Sequence, residues 1–246
     1  MSSAVQYHEA VDVQDKNARL DDDEIPQHIL DEIKAHEKTI YWSLFFLEGS
    51  VMWAFYSCLS AQDYYKAAFP TVKFAFLTTP ILTWPLSVGH IIQMWFGLDR
   101  SLGNMLRVKI GYSLFAICCI IILVQGQLGM AEVPGATLIL ICFGLVGASH
   151  SLTEPAYYNV AALFPDEKFT NAIQVGNVVA GCVNVVAATL IHLAVGGIHD
   201  TDYAHSIKLA FYIFMSILLV VCVGAVIVYS RLEKLSCVRY LLDRAA

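Results

Sequence analysis

Six apolar runs separated by short polar stretches dominate the chain, at residues 39–62, 71–96, 108–127, 136–158, 170–195 and 209–230. A helix needs roughly 20 apolar residues to cross a hydrocarbon layer about 30 Å thick, so the pattern predicts an all-α polytopic membrane protein of six transmembrane helices. The connections leave no room for a separate soluble domain. The predicted organisation is a tail over residues 1–38, a membrane domain over 39–230 and a second tail over 231–246. Residues 1–23 combine charge with a lack of apolar periodicity, and Asp21-Asp22-Asp23-Glu24 makes the segment acidic, so disorder is expected there. Ile25, Ile29 and Ile33 then recur at every fourth position among charged residues. That spacing predicts a short amphipathic helix, either resting on the inner membrane surface or serving as a solvated spacer.

Polar positions inside the runs depart from what a lipid anchor needs. In the fifth, Gln174, Asn177, Gly181, Asn184, Ala188 and His192 follow helical steps and share one face, opposite Val, Leu, Ile and Ala. In the fourth, His150 and Glu154 stand one turn apart, with Tyr157 and Tyr158 a turn further on. Ionisable groups at membrane depth are costly and point to a functional interior. Glu154, read as lying at mid-bilayer, must stay protonated or find a donor. It is therefore a candidate solute ligand or proton carrier with His150 as its partner, and the structural alternative is a simple His150–Glu154 pair. Gln174, Asn177 and Asn184 can bind a polar solute or join helices, with Gly176, Gly181 and Ala188 as packing positions.

The remaining runs carry weaker signals. Glu48 is expected to be solvated at the membrane edge, and Tyr64 and Tyr65 to sit in an outer interfacial belt. Pro80 and Pro85 predict kinks in the second span, and Pro155 a break in the fourth. His90 and Gln93 lie one turn apart; His90 and His192 read as packing or interface residues. Gly97 to Arg107 reads as a short basic loop. The third and sixth spans look like scaffold, built mostly from Ile, Leu, Val, Cys and Phe.

Composition agrees with a membrane protein and narrows the functions. The apolar share is 57% and the charged share 15%, with a mean hydropathy of +0.60, far from a soluble domain. With the amino terminus inside, only Lys66, Lys73 and Lys208 of the 15 Lys and Arg residues fall outside. This positive-inside bias predicts that both termini are cytoplasmic. The net charge of −6, drawn largely from the first tail, argues against nucleic acid as a partner. No cleavable signal opens the chain, so the first span is expected to direct insertion. The seven cysteines read as free thiols in an apolar setting. No GxSxG, GxxxxGK[ST], HExxH or glycine-rich nucleotide fingerprint occurs, so neither an enzyme nor a cofactor is expected. The His150/Glu154 pair is too small a set for a metal.

Several segments, in order, carry a family likeness. Ser60-Ala61-Gln62-Asp63-Tyr64-Tyr65 with Phe69-Pro70, Arg107 with Gly111-Tyr112, Phe143-Gly144-Leu145-Val146-Gly147, Leu163-Phe164-Pro165 before the Gly/Asn-rich fifth span, and Tyr229 through Leu241 resemble the first six helices of equilibrative nucleoside transporters. The resemblance covers about residues 46–241. It implies facilitated or proton-linked movement of nucleosides or nucleobases on a fold related to the major facilitator architecture, in a plasma membrane. It also implies site roles for Phe55, where many relatives have Trp, for Glu154, where human-type relatives have Gln, and for Arg107. Ala54-Phe55-Tyr56 departs from the family's Pro-Trp-Asn, which puts base recognition there in question.

The family is expected to have eleven spans and this chain carries six. The charged residues that relatives place on helix eight have no counterpart here. The resemblance then implies a second wall supplied by another copy, by a separate carboxyl-terminal half, or by sequence continuing past Ala246. The expected site comprises Phe55, Glu154, Gln174 and Asn177 around a substrate, Glu154 and His150 for proton coupling, and Arg107, Gly181 and Asn184 as structural supports. A non-transporting assembly partner is the competing class, and a membrane enzyme a third.

Overall fold

A computed structural model of the chain describes residues 25–97, 102–128, 130–195 and 203–245, and no strand occurs among them. The helices are α1 (Gln27–Ala35), α2 (Glu37–Ser60), α3 (Gln62–Ala68), α4 (Phe74–Phe96), α5 (Asn104–Leu128), α6 (Glu132–Ala162), α7 (Lys168–Val195), α8 (Tyr203–Leu232) and α9 (Ser236–Ala245). Six units are long and apolar enough to cross a membrane: α2 continued by α3, then α4, α5, α6, α7 and α8. The chain is an all-α, multi-pass integral membrane protein. The expected acidic tail, with Lys16 and Arg19, lies outside the described residues, as does Arg100.

α6 is the central post. It packs against α4 and α5, and also touches α2 and α7; α2 makes its largest contact with α7, and α8 closes the bundle against α5, α2 and α7. Close approach explains these pairings. A β-carbon at Gly147 of α6 would strike the Leu82 carbonyl of α4, one at Gly176 of α7 would strike the Phe45 carbonyl of α2, and one at Gly111 of α5 would strike Thr153 of α6. Small residues let helix backbones meet where lipid supplies no hydrophobic drive between helices. In the most apolar window of α4 and of α7 only 11% is buried, against 56% in α6. These two helices are the outer wings, and Phe76, Trp84 and Trp95 of α4 are exposed.

The prolines do not end their helices. α4 runs through Pro80 and Pro85, and α6 through Pro155, so the break expected at Pro155 is absent. Proline removes the N–H that would bond the carbonyl four residues earlier, which for Pro155 is Ser151. That carbonyl instead accepts a bond from Gln93 Nε2 of α4 at 2.6 Å. A neighbouring helix thus satisfies the freed group, as hydrocarbon surroundings require.

Other sequence expectations are corrected by packing. Tyr64 and Tyr65 are buried, not interfacial, because Tyr64 stacks on Phe211 at 3.9 Å and Tyr65 stacks on Phe74 at 5.0 Å. Ile25, Ile29 and Ile33 are covered by protein: α1 packs on α9, and Ser236 Oγ donates to Glu32 Oε1 at 2.5 Å. Arg107 is no loop residue, since α5 begins at Asn104 and the side chain is 1% exposed. Nor is α5 mere scaffold, because it brings Arg107 and Tyr112 into the core. At the same end of the bundle Lys168 pairs with Glu37 at 3.0 Å and with Asp166 at 2.9 Å. Its hydrogen bond holds the Asp166 carboxyl below the usual carboxylate range. All seven cysteines are free thiols.

Candidate functional site

Glu154 lies eight residues from the end of α6, about 12 Å along the axis, so it occupies the half of the bundle nearest α1 and α9 and not mid-span. His150 Nε2 approaches Glu154 Oε2 at 3.1 Å, one turn earlier on the same helix, and His90 Nε2 of α4 approaches it at 3.8 Å. Neither ring aims its N–H at the carboxylate well enough for a hydrogen bond. The contacts are electrostatic, and strongest when an imidazole is protonated. His150 is buried at 1% exposure, and the Phe55 ring of α2 meets it edge-on at 5.7 Å. Phe55 therefore shapes the back of this group from the second helix.

Glu154 opens onto a cleft of about 440 Å³ among α4, α5 and α6, lined among others by His90, Gln93, Arg107, Tyr158 and Asn159. Ligand sites commonly fall in roughly the 300–1,000 Å³ range. Gln93 is the hinge of the polar lining: its amide N–H bonds the Ser151 carbonyl while its Oε1 accepts Arg107 Nη2 at 2.5 Å. Pro155, Gln93 and Arg107 thus form one chain of dependence across α6, α4 and α5. It holds a guanidinium in an apolar bundle where a lone charge would be costly.

The polar face of α7 does not supply the opposite side of this cleft. Gln174 is exposed and absent from the cleft lining, which corrects its expected position facing Glu154. Asn177 turns instead to α2, where its Nδ2 donates to Glu48 Oε1 at 3.4 Å. Asn184 is fully buried and accepts a bond from Ser60 Oγ at 2.6 Å, tying α7 to α2. Gly181 sits against the Tyr56 ring, which an added β-carbon would meet at 3.4 Å. Glu48, expected to be solvated, has 0% exposure and meets Asn177 of α7.

Beside this lies a second buried polar group. Tyr157 donates to the Tyr112 hydroxyl at 3.0 Å, Tyr112 and Ser50 are hydrogen-bonded, and Tyr229 packs on Tyr157 at 5.9 Å.

Sequence reading missed Asn159 as a lining residue, Gln93 as the anchor of Arg107, and Glu48 as an interior acid. Pro155 was the available signal for Gln93, because it marks Ser151 as a carbonyl in need of a donor. Among the described residues no group of three His, Cys, Asp or Glu side chains is placed to hold a metal ion. The cleft carries the Glu154 carboxyl, the His90 imidazole, the Asn159 amide and the Tyr158 ring, with Gln93 and Arg107 bonded to each other in its wall. Such a set suits a flat polar solute. No protein-family model matches the chain, and no curated protein matches it.

Proposed function

We propose that this chain forms one wall of a nucleoside or nucleobase transporter, with the cleft at Glu154 as the solute site. The observation that carries the reading is a cleft of about 440 Å³ opening beside a partly buried His90–Glu154–His150 group in a membrane bundle. A nucleobase is a planar ring with adjacent donors and acceptors. Glu154 and Asn159 match its edge, and Tyr158 offers an aromatic surface. The resemblance to equilibrative nucleoside transporters supports the same class, with residence in the plasma membrane and proton linkage through Glu154 and His150, and the positive-inside bias supports cytoplasmic termini. The opposing wall would come from a second copy, from a separate carboxyl-terminal half or from sequence continuing past Ala246, the two walls rocking about the site.

Uptake of radiolabelled adenosine and hypoxanthine by transporter-deficient cells expressing these residues tests the proposal. Uptake above control that falls at least about tenfold in Glu154→Gln, the scale of one charged contact of roughly 1.5–3 kcal/mol, is the expected result. No uptake despite membrane expression, alone or with a supplied second half, would sink it.

The Ser60–Asn184 and Glu48–Asn177 contacts favour a second reading, in which polar residues serve only to join helices. It predicts that Glu154→Gln and Asn177→Ala alter expression or complex formation without altering flux.

A further inference from the structure

Glu48 is an acid for which the site described above has no use. It has 0% exposure, its Oε1 receives a single long bond from the Asn177 amide at 3.4 Å, and its Oε2 has no hydrogen-bond partner. No Lys, Arg or His forms an ion pair with it among the described residues. A carboxylate in apolar surroundings needs a cation or several donors; lacking both, it takes up a proton. The groups facing Glu48 reinforce this. Glu154, Tyr157 and Tyr158 come from α6 and Tyr112 from α5, all within electrostatic range. The Asn177 amide is the contact from α7, and Tyr229 of α8 stands one ring behind Tyr157. None of these brings a positive charge. Glu154 brings a potential second negative one, and two carboxylates in one low-dielectric site resist joint ionisation.

The two acids differ in access. Glu154 keeps 19% of its side chain exposed on the cleft, with His150 and His90 beside it and Arg107 in the lining. Glu48, on α2, is fully buried and bonded from α7. Tyr158 lines the cleft one turn beyond Glu154 on α6.

We propose that Glu48 is the occluded member of a proton-sharing pair with Glu154, taking its proton from the cleft by way of Glu154 beside Tyr158. Because no hydrogen bond joins the two carboxyls, the transfer runs through a bridging water: one O–H bond on Glu154 breaks as one forms on the water, one O–H bond of that water breaks as one forms on Glu48, and the negative charge moves the opposite way. This deepens the transport reading and rests on it for its consequence: the coupled proton is held on α2, next to the α2–α7 seam, and Glu154 is left free to meet the solute as a carboxylate.

The test uses the full chain in lipid nanodiscs and infrared difference spectroscopy across a pH titration. The expected result is a protonated-carboxyl C=O band at neutral pH that vanishes in Glu48→Gln. The band should persist in Glu154→Gln with a displaced midpoint, and persist in Asn177→Leu with its midpoint at higher pH, since that variant removes the one donor to the carboxylate. Glu48→Asp keeps an acid and should keep the band, a control that serves even if Glu48→Gln folds poorly. A spectrum unchanged by Glu48→Gln, or no protonated carboxyl in either the parent chain or Glu48→Asp, overturns the proposal. Uptake measured in parallel separates the two readings. Loss of all uptake with the band intact removes the transport function and leaves the proton site standing. Uptake in Glu48→Gln that keeps the parent's pH dependence overturns the coupling role.

Discussion

Gln93 shows how one side chain can hold a charged group inside a membrane. It answers a carbonyl that Pro155 leaves without its helical partner, and in doing so presents its own oxygen to Arg107. Gln93→Leu should therefore leave the buried Ser151 carbonyl without its donor and take one acceptor away from Arg107. The expected loss is about 2–4 kcal/mol, read as a lower unfolding midpoint in a denaturant titration of the purified chain. Pro155→Ala restores the N–H to Ser151, so Gln93→Leu should be milder in that background. A coupling of about 1 kcal/mol in the double-mutant cycle is expected; strictly additive losses would show that the Ser151 bond is incidental. The polar side chains of the fifth apolar run divide at the same scale. Asn184 and Asn177 bond to α2, whereas Gln174 faces outward. One polar stripe in the sequence thus holds residues with separate duties, and helical spacing alone does not distinguish them.

At the level of helices, the bundle is set by where backbones touch. Gly147 and Gly176 lie directly against the carbonyls of Leu82 and Phe45, so the α4–α6 and α2–α7 pairs cannot accept a side chain at either position. Gly147→Val and Gly176→Val should each cost at least about 1–3 kcal/mol from overpacking against rigid backbone, seen as lost monodisperse protein by size-exclusion chromatography in detergent. Gly181→Ala should be tolerated, because its nearest neighbour is the side of the Tyr56 ring. Equal damage at all three positions would contradict the contact geometry. Gly176 and Gly181 were visible in the sequence as packing candidates, and Gly147 was not. Which glycines sit at a crossing was not legible there, since that depends on the angle at which two helices meet.

Across the whole molecule, α1 and α9 pack together at one end of the bundle, joined by Ser236 and Glu32. Tags fused at the two termini should accordingly be digested from the same side of sealed vesicles; protection of one and digestion of the other would contradict an even number of crossings. The same end holds the Lys168–Glu37–Asp166 cluster and, farther in, the cleft at Glu154. The sequence by itself determined the helical class, the six crossings and the presence of acids among apolar residues. Run length and helical period are local properties, and the bilayer leaves the backbone few other solutions. Only the tertiary structure decided that Tyr64 and Tyr65 are core, that Arg107 is interior and that Glu48 is sealed while Glu154 opens on a cleft. Burial and partnership depend on which helices become neighbours, and that arises from contacts between residues such as Gln93 and Ser151, 58 positions apart in the chain.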